Sequence, residues 1–479
     1  MKKLLKQLFV VMVFGLMLNP LISCFDDLLI TGTVLLDGTG LEDVTLTLRR
    51  GSTTIDSTMT NSDGEYVFAE IEAGTYIITP SKEGYAFSPD NIEVTVDDEA
   101  ILDQDFEAVI MITWAESYGG GDEDYAESIQ QTSDGGYIVA GSTYSFGAGG
   151  SDFIVLKLDP NGVVEWQNTY GGSSDDAAES IQQTSDGGYI VAGYTESFGA
   201  GGQDFWVIKL DSNGTMDWSQ TFGDAGDDYA KSVQQTTDGG YIVAGAKYDI
   251  VATFYDMWVI KLNSDGSLDW DNTYGGSSGD WAHSIQQTSD GGYIVAGNTF
   301  SYGAGSSDFY IVKLDVSGVQ LWDQIYGGIS AEYAESIQQT FDNGYIVTGR
   351  TNSFTAVSFD YWVIKLDDMG NDEWARIYGG SYYDLAFSVE QTSEGGYIVA
   401  GTSNTYPTSE EADYDYWILK LESDGDEEWS RTYGIVPGSS NEYARSIEQT
   451  SDGGYIVGGW SYTINSDIWI LKLDRNGEY

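Results

Sequence analysis

Cysteine is almost missing: Cys24 is the only one in 479 residues. No disulfide can therefore form within the chain, and no thiol nucleophile exists elsewhere. Histidine is equally scarce, and His283, without a visible Ser or Cys partner, supplies no nucleophile and base pair. Proline is limited to 6 residues and helix signals are nearly absent. The abundance lies elsewhere, in Gly 60 and Tyr 34 with many Ser, Thr and Asp, a composition suited to short strands joined by tight turns. Cations are few as well: Lys+Arg 20 against Asp+Glu 76 leaves a net charge of −56. A field of that sign repels nucleic acid and anionic lipid headgroups and gathers cations or basic partners; it also serves plain solubility.

The one long apolar run, Leu8 to Leu18, follows Lys2, Lys3 and Lys6 and is too short for a comfortable membrane span. Residues 1–23 therefore read as an export signal. Its end, Leu21-Ile22-Ser23-Cys24, resembles the bacterial lipobox. That resemblance implies that Cys24 is lipidated and becomes the new N-terminus, with residues 24–27 as a short tether. Cleavage removes three lysines and no acids, taking the net charge from −56 to −59. In lipoproteins an Asp directly after the cysteine favours inner-membrane retention. Phe25 stands there instead, so the resemblance implies an exported protein held by its lipid at the outer membrane or cell surface, with no other membrane contact.

Residues 28–108 show apolar residues at a period of two: Ile30 and Val34, Val44 with Leu46 and Leu48, Tyr66 with Phe68, Tyr76 with Ile78, and Ile92 with Val94 and Val96. The turns Asp37-Gly38, Ser62-Asp63-Gly64 and Ala73-Gly74 separate them, which predicts a small antiparallel sandwich. Thr60 to Phe68, Ala73-Gly74-Thr75-Tyr76 and Lys82-Glu83-Gly84-Tyr85 resemble the carboxypeptidase-regulatory-like, Ig-like domain family. The resemblance implies a spacer beside a lipid anchor; some relatives of that fold bind carbohydrate.

From residue 109 to 479 the chain repeats. Gly-Tyr-Ile-Val occurs seven times, with its tyrosine at Tyr137, Tyr189, Tyr241, Tyr293, Tyr345, Tyr397 and Tyr455, spaced by 52 residues five times and then 58. A Lys-Leu pair keeps the same beat from Lys157 to Lys472, and a tryptophan follows it from Trp166 to Trp429. The seventh tryptophan segment, Trp114 to Gly120, precedes the first repeat. Each unit reads as four strands (Glu127 to Thr132, Tyr137 to Ser142, Phe153 to Leu158, Val163 to Thr169), the size of a propeller blade. The circular offset favours a closed ring over an open solenoid, with residues 111 to 118 supplying the last strand of the last blade. The fold class is thus all-β: a small Ig-like sandwich followed by a seven-bladed β-propeller of 52-residue repeats. Lys157 to Gly172 resembles the tryptophan-docking repeats of quinoprotein-like propellers. That likeness is one of fold and carries no quinone with it.

The short turns between the first and second strands, and between the third and fourth, put the longer connections on the other face of the ring, where function belongs. Those connections hold aromatics without an obvious core duty: Tyr144, Tyr194, Tyr248, Tyr302, Phe354, Tyr406 and Tyr462, with Trp281 and His283 placed in the fourth long connection. They suit stacking on sugar or peptide, or else pack over the blade ends. An acid precedes the third strand in every blade (Asp152, Asp204, Asp256, Asp308, Asp360, Asp415, Asp467). Another opens the first strand (Asp124, Asp176, Asp228, Asp280, Glu332, Asp384, Glu442). Seven copies in register point to a structural task, the acceptance of backbone N–H groups at loop ends. No cofactor and no catalytic residue is expected, although the acid pairs leave room for a structural cation such as calcium. The expectation is a monomeric, envelope-anchored binding or scaffold protein for a glycan or an envelope or extracellular protein. Hydrolase or lyase chemistry by carboxylates near the channel is the alternative.

Overall fold

The computed structural model describes residues 28–36, 38–82, 84–97, 99–354, 358–405, 413–435, 441–462 and 465–479. Cys24, the export signal and the tether lie outside them. Every regular element described is a β-strand, and the chain divides into two compact units between Met111 and Ile112.

The first unit is a sandwich of two sheets. Thr53–Met59, Thr45–Arg50, Gly74–Ser81 and Ile92–Val96 form one, in that order. The other centres on Ile30–Leu36, which pairs antiparallel with Glu65–Phe68 and parallel with Phe106–Ile110. That one parallel pair departs from the expected antiparallel pattern: the last strand returns beside the first instead of forming a hairpin with it. The alternating residues meet as predicted, with Ile30, Val34, Leu46, Leu48, Phe68, Ile78 and Val96 buried in one core.

The second unit holds seven four-stranded antiparallel sheets. In blade 1 the strands are Asp124–Gln131 (a), Tyr137–Thr143 (b), Asp152–Leu158 (c) and Val164–Tyr170 (d). The same letters serve below for blades 2 to 7. Strand c is buried along its whole length, because both its faces meet neighbouring blades. This is why it reads Phe-Ile-Val-Leu rather than alternating.

Three repeated motifs acquire physical reasons. The lysine of each Lys-Leu pair is buried: Lys157 Nζ reaches Asp134 Oδ2 at 3.0 Å in the a–b turn and donates to the Leu158 carbonyl at 3.1 Å. Each strand-d tryptophan docks edge-on against the Gly-Tyr-Ile-Val tyrosine of the following blade, as with Trp166 and Tyr189 at 5.9 Å. Both glutamines of Ile-Gln-Gln-Thr lie in strand a and join adjacent blades. Gln130 accepts the Gln183 N–H at 2.7 Å, while Gln183 accepts the Ser133 N–H at 2.8 Å.

The ring closes through the offset segment. Trp114–Tyr118 pairs with Ser466–Leu473 as strand d of blade 7, and Trp114 docks on Tyr137 of blade 1 at 5.8 Å. Ser446 and Glu448 of blade 7 accept the Ile129 and Gln131 N–H groups of blade 1.

Candidate functional site

Strand a of every blade faces the axis, so the seven together form the channel wall. Residues from all seven, Ile129 and Gln130 to Ile447 and Glu448, line an open pocket of about 220 Å³ there. The free inner edge of strand a would leave N–H groups unpaired in this channel. Side chains cap them instead: Ser128 accepts from Ile181, Ser180 from Val233 and Ser232 from Ile285, and the pattern continues around the ring.

Strand a also carries a β-bulge in each blade, between Ala126 and Ser128 in blade 1. A bulge inserts one residue and re-aims its side chain. The inserted residues are Glu127, Glu179, Lys231, His283, Glu335, Phe387 and Arg445, different in kind where the flanking Ala and Ser never change. They make a belt around the axis. Lys231 Nζ meets Glu179 Oε1 at 2.6 Å, Arg445 Nε meets Glu127 Oε2 at 3.2 Å, and Glu335 takes Arg350 at 2.7 Å with His283 Nδ1 at 3.6 Å. Arg445 also lies over the Phe387 ring at 4.4 Å. Exposures of these ion-paired side chains run from 14% to 29%, which marks a water-reached channel rather than core or outer surface.

Burial holds the Glu127 carboxyl above the usual carboxylate range, with Arg445 pulling the other way. Burial lowers His283 against the pull of Glu335, which favours the neutral ring; its Nε2 lies 2.8 Å from Asn298 Oδ1. Closer to the long-loop face, two residues before the belt, strand a carries Tyr125, Ala177, Tyr229, Trp281, Tyr333, Leu385 and Tyr443. The five rings among them are half-buried and gather others. Trp281 packs on Tyr255 at 4.1 Å and Tyr229 at 5.9 Å, Tyr194 meets Tyr229 at 5.4 Å, and Tyr248 meets Tyr255 at 5.0 Å. On the opposite side Trp460 stacks on Tyr443 at 4.2 Å and meets Tyr125 edge-on at 5.2 Å. Arg350 covers Tyr333 at 4.6 Å.

The predicted candidates thus divide. Tyr194, Tyr248 and Trp281 come together at the channel mouth, and His283 stands in the belt below it. Tyr144 and Tyr462 are exposed singly. Tyr302 and Phe354 pack over blade ends, Tyr302 against Tyr310 at 5.7 Å and Phe354 against Trp362 at 5.5 Å, the structural alternative for such rings. Tyr406 lies outside the described residues. Two placements need correction. Trp281 and His283 belong to strand Asp280–Gln287, not to a connecting loop, and Tyr194, Tyr248 and Tyr462 close strand b instead of opening the loop after it. The bulge accounts for the first, since its extra residue interrupts the period-two signal and hides the start of strand a. The mouth residues Tyr229, Tyr255, Tyr333, Tyr443 and Trp460 and the rest of the belt escaped the sequence reading. The available signal was variation at the two x positions of an acid-x-Ala-x-Ser segment whose Ala and Ser never change.

Residues 25–110 match the family described as BOS complex subunit NOMO1-like, second beta sandwich domain. Residues 132–165, 184–219 and 288–319 match the family described as a domain of unknown function (DUF5122) beta-propeller. The chain therefore joins an Ig-like β-sandwich to a β-propeller. No curated protein matches it. Among solved structures, the Pan2 WD40 domain of Neurospora crassa is 13% identical over 72% of this chain and 88% of that one, with a TM-score of 0.45. Sqt1 from Chaetomium thermophilum is 10% identical over 77% and 86%, with a TM-score of 0.43. A protein of unknown function from Bacteroides caccae is 11% identical over 62% and 93%, with a TM-score of 0.37.

Proposed function

We propose that this is a non-catalytic, envelope-anchored binding protein whose propeller receives a glycan at the channel mouth on its long-loop face. One observation carries the reading. Blades that are otherwise near copies differ where they meet at the axis, in an aromatic mouth above a belt of paired charges. Aromatic faces stack on sugar rings, and partly buried carboxylate, Arg and Lys groups that still reach water retain bonding capacity for hydroxyls. The sandwich serves as a spacer, and Cys24 carries the lipid that holds the protein at the outer membrane or cell surface. Absence of labelled lipid from the wild-type chain in cells, or equal labelling of a Cys24→Ser variant, would remove the anchor from this account.

A soluble form without the lipid, tested on glycan and peptide arrays, checks the binding site. Trp281→Ala and Tyr229→Ala should each weaken a glycan hit by about tenfold or more, the size of an aromatic hot spot. Hits indifferent to both variants would place the site elsewhere, and hits confined to peptides would replace the glycan with a protein partner. The raised Glu127 carboxyl beside Glu179 and Glu335 favours one second reading, hydrolase or lyase chemistry on the same ligand. Chemical conversion of a bound glycan would establish it over the first.

A further inference from the structure

Six of the seven joints between blades bring two carboxylates to one point behind a glycine. The acid opening strand c of one blade meets the acid opening strand a of the next: Asp152 with Asp176 at Gly171, Asp204 with Asp228 at Gly223, and Asp308 with Glu332 at Gly327. A Cβ built on Gly171 would lie 1.7 Å from Asp152 Oδ1 and 2.8 Å from Asp176 Oδ2. At Gly223 the two distances are 1.8 and 2.7 Å, and at Gly327 they are 1.8 and 2.6 Å. The paired oxygens are therefore close enough for one ion to touch both at about 2.3–2.6 Å.

The partners differ in what they have left to give. Asp176 is committed: Oδ1 accepts the Thr195 hydroxyl, and Oδ2 accepts the Gly172 N–H at 2.8 Å and the Ser197 hydroxyl at 2.7 Å. Asp152 uses only Oδ2, on the Ala148 N–H at 2.6 Å; its Oδ1 has no hydrogen-bond partner although the residue is 1% exposed. Asp204 repeats this, with Oδ2 on the Ala200 N–H at 2.7 Å and Oδ1 without a partner at 1% exposure. Two buried carboxylates facing each other cost free energy unless something positive sits between them. Burial and the neighbouring Asp280 push Asp256, at the next joint, up to about 6. A chain with a net charge of −56 also concentrates cations around itself.

We infer that the joints with this geometry are cation sites, holding a hard divalent ion such as calcium between the strand-c aspartate of one blade and the strand-a acid of the next. Among the described residues no joint gathers three Asp, Glu, His or Cys side chains. Two carboxylates thus supply the charge, while hydroxyl, carbonyl and water oxygens complete the shell. Such a site belongs with the weaker extracellular calcium modules, with Kd values of about 10⁻⁴–10⁻³ M. The bound ions tie blade to blade at the long-loop end, where the hydrogen bonds of the a–b turns do not reach.

The test uses the whole mature chain, stripped with EDTA and titrated with calcium chloride, with magnesium chloride as comparison. Equilibrium dialysis should show saturable uptake of several ions per chain, and the Tm should rise by several degrees on loading. In Asp152→Asn/Asp204→Asn the new amides can donate to Asp176 and Asp228, so the fold is retained while the uptake falls by two ions. Undiminished uptake in this variant would overturn the assignment. So would an absence of saturable uptake, or a Tm that ignores calcium and rises only on acidification towards pH 5.5, the mark of a proton held between the carboxyls.

Discussion

Glu390 and Glu448 stand where the other five blades place a glutamine, and they accept the same backbone N–H groups, those of Gln449 and Gln131. Burial raises them from the ordinary 4.5, Glu390 to about 7 and Glu448 to about 8, with the Glu390 charge adding to the latter. A carboxyl raised on folding contributes stability that is fully present below about pH 4.5. That contribution is lost as pH climbs through 7 and 8. Glu390→Gln/Glu448→Gln should therefore match the wild type in thermal melts near pH 4.5 and exceed it at pH 8.5, by on the order of 2 kcal/mol. The other five blades already show that glutamine fits. An equal gain at both pH values would mean that packing, not ionisation, sets the difference. Asp186 runs the other way. Against the upward pull of burial, the Thr184 hydroxyl, the Gly188 N–H and Lys209 hold it down to about 2, so its contribution persists above pH 3.8 and fades only as pH falls through 2.

At the scale of the element, strand a is an edge strand facing a channel, and the Ser-x-Gln spacing spares it the liability of a bare edge. Gln234→Leu leaves the Gln287 N–H without its partner. A buried orphan costs about 1–3 kcal/mol, but this one lies beside the channel cavity, so water replaces part of the bond and about 1 kcal/mol is expected in denaturant titrations. A loss of 3 kcal/mol would show the channel to be dry. The bulge is the second device of this strand. It turns one residue per blade towards the axis without disturbing the Ala and Ile that pack between blades, which leaves that position free to vary.

The whole molecule depends on closure. In an open array Trp114 would be an end residue with little to hold; in a ring it does for blade 7 what Trp218 does for blade 2. Its Nε1 donates to the Pro160 carbonyl at 3.0 Å while its ring meets Tyr137. Trp114→Ala and Trp218→Ala should hence lower stability by similar amounts, about 2–4 kcal/mol each in equilibrium unfolding. A harmless Trp114→Ala would contradict the ring. The charge of −56 is likewise a property of the whole. Self-repulsion destabilises the compact state and salt screens it, so the Tm should rise between about 0.05 and 0.5 M sodium chloride. A flat response would show that the charges are already neutralised by bound cations.

The number of blades and the closing segment were legible in the chain, because near-identical repeats carry strand period, turn residues and a docking tryptophan at fixed offsets. The sandwich was legible for the same reason, through alternation between turns, although its parallel strand pair was not: pairing between chain ends leaves no local signal. The site was only half visible. Loop aromatics such as Tyr144 and Phe354 drew attention by standing outside the pattern, whereas Glu127, Lys231, Glu335 and Arg445 sit inside a repeated segment and look like surface positions of an alternating strand. Only the tertiary structure decides that strand a is innermost and that a bulge turns one residue of each blade to a common axis. Convergence of positions 52 residues apart is a consequence of ring geometry, which no local stretch of sequence encodes.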